Sequence, residues 1–139
     1  MAATSYRLDD DLKRRLAERA AAEGVTETAL VARVLDEALK TAAHPDIVYR
    51  DGPSGRRAAL AGGPDVWEVV LGVRHAPGQG EAKIAGAAEQ MGLAERLIRA
   101  AVNFAAAHPE EIEQRIALND AAAERAKRLD EQRARLLVS

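Results

Sequence analysis

The sequence predicts a mainly α protein in two parts: an N-terminal β-α-α unit whose strand pairs with the same strand of a second copy, and a small helical C-terminal domain. Three observations predict it. Residues 4–8 alternate in polarity, with no second strand nearby to pair with. Two apolar stripes of helical period follow, separated by Gly24. From Val66 onward the helical period returns repeatedly between short glycine-containing loops.

Composition narrows the rest. Of 139 residues, 47% are hydrophobic but only 3% aromatic, so the core must be built from Ala, Leu, Val and Ile. The net charge of −2 announces no global affinity for nucleic acid, so any DNA contact has to come from a local patch. The absence of cysteine excludes disulfides, thiolate zinc sites and cysteine nucleophiles. No apolar run approaches the roughly 18 residues of a membrane span, and no leader-like stretch opens the chain. The expectation is a cytoplasmic protein with no membrane partner and no cofactor.

Thr4, Tyr6 and Leu8 share one face of the strand, and Ser5 and Arg7 the other. Asp9 stands where a helix N-cap belongs, with Asp10 and Asp11 in the first turn, where the helix dipole favours anions. Leu12, Leu16 and Ala20 follow at helical spacing, and Gly24 ends that helix. Thr26 caps the next, which carries Leu30, Val31, Val34, Leu35, Ala38 and Leu39 and stops before His44-Pro45. That stripe is too wide for one short helix to cover, and residues 1–43 are too few to bury their own apolar surface. Pairing of two strands and two second helices in a homodimer solves both problems, with Tyr6, Leu8, Leu30, Val34, Leu35 and Leu39 as the dimer core.

Residues 44–118 form the second expected domain. Its "DIVYR" and "RRAAL" stretches read as short strands around a Gly-Pro turn. Trp67, Val70 and Leu71 mark one helix, with Trp67 as a core residue, and "HAPGQGEA" a loop. Ile84, Ala87, Ala88 and Met91 mark a second helix, and Leu97, Ile98, Ala101, Val102 and Ala105 a third, across a turn at Gly92. Helix, glycine turn, helix is a helix-turn-helix outline, which many helix pairs share. Pro109 suits the first position of a further helix, followed by two glutamates. Residues 119–139 are charge-dense and read as a separate C-terminal helix.

The stretch "TSYRLDDDLKRRLAERAAAEGVTETALVARVLDEAL" resembles the ribbon-helix-helix family of Arc- and MetJ-like DNA-binding proteins. The alternating strand, Leu8-Asp9-x-x-Leu12, Leu16, Gly24-Val25-Thr26 and the apolar second helix carry the resemblance. It implies a two-stranded ribbon, exchanged between the copies of a dimer, that enters the major groove of double-stranded operator DNA. By position, the base-reading residues are Ser5 and Arg7, with Ala3 as a reduced third. Arg7 suits guanine O6 and N7. The resemblance also places a phosphate at the N-terminus of the second helix, near Thr26, Glu27 and Thr28. The unit departs from a basic binding surface: its seven Lys and Arg face eight Asp and Glu. That implies modest affinity, or several dimers binding side by side.

Residues 56–75 and 83–116 are similar to a small winged-helix family of unknown function, the family numbered 433, through "VWEVV", the "MGL" turn and "AHPEEI". Members often accompany PIN-like ribonuclease toxins and are regarded as antitoxins. The stretch reading "GTRIPVW" in that family is "AGGPDVW" here, so its arginine has no counterpart at that place.

Blander readings decide the remaining motifs. Asp9, Asp10 and Asp11 are a helix cap rather than an acid–base or metal cluster. His44, His75 and His108 are too scattered in sequence for a metal site. "GQG" at 78–80 lacks the following Gly-Lys-Ser/Thr of a phosphate loop. Arg96 and Arg99 offer too thin a basic surface for the second helix-turn-helix to read DNA, so a packing or dimer-support role is expected there. No nucleophile–base or carboxylate pair stands out, so no catalysis is assigned. The expected function is an operator-binding repressor that is also the antitoxin of a type II toxin–antitoxin pair. The alternative is a ribbon-helix-helix regulator without a toxin, its C-terminal domain serving oligomerisation or sensing. A toxin contact is expected on the C-terminal helix through Arg128, Arg133, Arg135 and Leu136.

Overall fold

The computed structural model describes residues 2–138. Among them are six helices and one two-stranded antiparallel sheet, so the protein is mainly helical, in two compact units divided between Ala43 and His44.

In the first unit, residues 2–9 form neither helix nor strand. The stretch expected as a strand, 4–8, has no ladder partner among the described residues. Helix α1 (Asp10–Glu23) begins as its sequence dictates: the Asp9 side chain accepts from the Leu12 amide at 2.7 Å. It ends at Gly24, where φ is +69°, a left-handed conformation that glycine adopts without steric cost. Helix α2 (Glu27–Thr41) is capped by Thr26, whose hydroxyl accepts from the Ala29 amide at 3.1 Å. The bidentate Arg33–Glu23 pair ties α2 to the end of α1, at 2.9 and 3.2 Å. Among the described residues of this unit, only Ala20 and Leu30 are buried.

The second unit opens with a hairpin, β1 (Ile47–Arg50) and β2 (Arg57–Leu60), in the register Ile47↔Leu60 to Arg50↔Arg57. Its strands coincide with the two stretches that flank the Gly-Pro turn. Four helices follow: α3 (Val66–His75), α4 (Glu81–Met91), α5 (Glu95–Ala107) and α6 (Pro109–Leu136). Leu60, Val66, Val69, Ile98 and Phe104 are fully enclosed, joined by Ala87, Ala101, Ile112 and Ile116. Alanines at the helix contacts let the backbones approach, which suits a core nearly free of aromatics. Where α3 passes α4, a Cβ on Gly72 would lie 2.9 Å from the Met91 sulfur.

Two expectations change. Trp67 is half-buried at the edge of the core rather than inside it, because its indole N–H is directed to Asp65 at 3.1 Å. The boundary expected after Leu118 falls within α6, which runs unbroken for 28 residues, about 42 Å at 1.5 Å per residue. Asp120 and every described residue after it are exposed.

Candidate nucleic-acid interface

Ala3, Ser5 and Arg7 are all exposed in the segment that precedes α1. Arg7 has no ion-pair partner among the described residues, unlike the arginines of α1: Arg14 and Arg15 are held by Asp11, and Arg19 by Glu23. Thr26 uses its hydroxyl on Ala29, which leaves the amides of Glu27 and Thr28 as the outward donors of the α2 terminus. The Glu27 carboxylate beside them works against an incoming phosphate.

The residues expected as a dimer core divide in two. Leu30 is 2% exposed and closes the α1–α2 contact. Tyr6 is 80% exposed, Val34 48%, Leu35 51% and Leu39 76%, while Leu8 is half-buried. Val34, Leu35, Ala38 and Leu39 thus form an apolar stripe of α2 uncovered within one copy. The Glu23 carboxyl, at the other side of α2, is held below the usual carboxylate range chiefly by its hydrogen bonds to Arg33, with Arg19 adding to the effect.

The helix-turn-helix outline of the second unit is present as α4, a turn at Gly92 and α5. Its basic residues are already engaged. Arg99 bonds Glu81 and approaches Glu95 at 3.6 Å, and Arg96 reaches Asp46 at 3.5 Å. An anion approaching α5 would meet neutralised pairs.

The hairpin carries features that sequence spacing does not reveal. Asp65, at the N-cap of α3, makes no cap hydrogen bond. Its carboxylate instead accepts from Arg57 Nε, from Trp67 Nε1 and, at 3.4 Å, from Arg50 Nη2. Arg115 of α6 donates to the Ser54 carbonyl at 2.8 Å and the Arg56 carbonyl at 3.0 Å, which pins the hairpin tip. Arg56, Arg57, Trp67, Glu111, Arg115 and Leu118 help line a cleft of about 200 Å³ between hairpin and α6. His44 and His108, far apart in sequence, sit with ring centroids 6.2 Å apart, both against Phe104. No group of three or more potential metal ligands forms among the described residues. None of their helices is long and apolar enough to cross a membrane.

The residues expected to touch a toxin, Arg128, Arg133, Arg135 and Leu136, all lie on the exposed part of α6. Arg133 approaches Asp130 at 3.8 Å. Comparison of the chain with family models, with curated proteins and with solved structures gives no match.

Proposed function

We propose that this protein is a sequence-specific DNA-binding repressor of ribbon-helix-helix type, a homodimer through its first unit, and the antitoxin of a pair whose operon it represses. One observation carries the reading. Residues 2–43 hold two capped helices but bury only Ala20 and Leu30, while Val34, Leu35 and Leu39 lie open beside an unpaired, alternating N-terminal segment. Backbone groups of a strand need partners and an apolar stripe needs a cover. A second copy supplies both. In that dimer, Ser5 and Arg7 face outward on the ribbon towards base edges, and the free amides of Glu27 and Thr28 meet the phosphate backbone.

The antitoxin part rests on the exposed length of α6, which is available to a protein partner without disturbing the core. Arg128, Arg133, Arg135 and Leu136 are the contacts assigned there, against the acidic site of a nuclease toxin.

A mobility-shift series on the native operator tests the DNA reading. Arg7→Ala is expected to cost about 1–3 kcal/mol and relax preference at one base position. Arg99→Ala, which breaks an ion pair in the second unit, should leave the shift unchanged. The reverse order assigns DNA reading to α5.

A further inference from the structure

We propose that the face of α6 bearing Leu118, Ala122, Leu129 and Leu136 is a docking surface for an acidic amphipathic helix of another protein. The proposal rests on the reading of α6 as the partner-binding element, and adds the chemistry of what binds there.

The arrangement follows from helical geometry. At about 3.6 residues per turn, these four side chains fall within a sector of roughly 40°. Leu118, Leu129 and Leu136 are large and exposed. Arg115, Arg125 and Arg133 border the stripe within about 45° of its centre. Asp120, Glu124 and Glu131 lie about 140–180° away, on the far side of the helix, and Asp130 lies about 100° away, where it approaches Arg133 at 3.8 Å. Beyond Leu118 the apolar edge therefore has a border in which Arg125 and Arg133 are the nearest charges, while Lys127, Arg128 and Arg135 lie farther round the helix with the acids.

The same face continues into the cleft beside the hairpin, which ends at Leu118. Three arginines and one carboxylate line it: Arg57 pairs with Asp65, Arg56 with Asp51 at 3.2 Å, and Glu111 accepts from the Tyr49 hydroxyl at 2.9 Å. The acceptors of Arg115 are the Ser54 and Arg56 carbonyls and the Ser54 hydroxyl, all uncharged. Its guanidinium is held in place with its charge available at the base of the stripe.

Charge complementarity selects the occupant. A second copy of α6 packed along this stripe would set arginine borders against each other. Duplex DNA would satisfy the arginines and leave the leucines in water. An anionic bilayer favours a wide apolar face with aromatic side chains, and this stripe is narrow and has none. A helix with leucines at heptad spacing and glutamates on both flanks matches the apolar edge and its border together.

The test uses the full-length protein and two fluorescein-labelled synthetic helices of three heptads, identical in their leucines, one flanked by glutamates and one by lysines. Anisotropy should show micromolar binding of the glutamate helix and at least tenfold weaker binding of the lysine helix. Arg125→Glu/Arg133→Glu should invert that preference, and Leu129→Asp should abolish both. These positions are exposed, and the inversion itself reports a folded surface. Binding of neither helix, equal binding of both, or an unchanged preference in the charge-reversed variant overturns the proposal. So does Leu129-dependent binding to phosphatidylglycerol vesicles or to a second copy that excludes the glutamate helix. No toxin or DNA enters the assay, so failure here is distinguishable from failure of the antitoxin reading, which toxin protection measures.

Discussion

Arg57 donates through Nε to Asp65, the one charged residue buried among those described, and Trp67 donates to the same carboxylate oxygen. Arg50 reaches the other oxygen at 3.4 Å. One carboxylate therefore joins both strands of the hairpin to the start of α3. Asp65→Asn keeps the shape but removes the countercharge of two half-buried guanidiniums. It should destabilise the second unit by about 3 kcal/mol. Trp67 is the single tryptophan of the chain, so its fluorescence in a urea titration follows this unit; an unchanged midpoint would mean that the cluster is not a structural tie.

Val34 and Leu35 lie about half exposed on α2 beside Leu39. Val34→Asp should leave α1 and α2 helical in the isolated copy, since neither Ala20 nor Leu30 is touched. In a dry dimer interface it places an unpaired carboxylate, which costs several kcal/mol. Sedimentation at micromolar concentration is expected to show a dimer for the parent and a monomer for the variant. A dimeric, folded variant would move the interface elsewhere.

Helix boundaries were legible because their signals are local. Asp9, Gly24, Thr26, Gly92 and Pro109 each act within one turn of their own position, and each stands at a helix end. The hairpin was legible for the same reason. What local signals do not carry is pairing across the chain. Asp65 stands at the N-cap of α3, close to Trp67 in sequence, and only the fold brings Arg50 and Arg57 to it. His44 and His108 meet only because β1 and the α5–α6 junction both pack on Phe104. Trp67 followed the apolar period of its helix, but its indole N–H needs an acceptor, which holds it at the edge of the core. The charge density after Leu118 looked like a new segment, although nothing there breaks the helix that Pro109 begins. For the candidate DNA face, the sequence offered residue types and their alternation, and exposure of Ser5 and Arg7 adds accessibility.

The first unit should lose stability in acid through Glu23. Its carboxyl is held below the usual carboxylate range by Arg33 and, more weakly, Arg19. In the unfolded chain it titrates normally, so between the two values the unfolded state binds more protons and stability rises with pH. The contribution is complete above the ordinary carboxylate range and is lost as pH falls through the lowered value. The protection factors of α1 and α2 amides, exchange rates corrected for the intrinsic pH dependence, should fall below about pH 5 in the parent. Glu23→Gln should remove this part of the pH dependence and be less protected at neutral pH. Equal pH profiles for the two proteins would show that the Arg33 contact adds no stability.

Truncation after Leu118 separates the parts of the proposed function. The buried side chains of α6 are Ile112 and Ile116, and no described residue beyond Asn119 is even half-buried. Loss of exposed helix of this kind should change stability by no more than about 0.5 kcal/mol, read as an unchanged Trp67 unfolding midpoint. The first unit is untouched, so dimer formation and the operator shift should persist at parental affinity. Arg128, Arg133, Arg135 and Leu136 are removed, so the truncated protein should fail to protect cells that express the cognate toxin. Full protection by the truncated form would place the toxin contact on the surface of residues 66–112. Loss of the operator shift as well would show that α6 supports DNA binding, and would join the two activities that the exposed helix otherwise keeps apart.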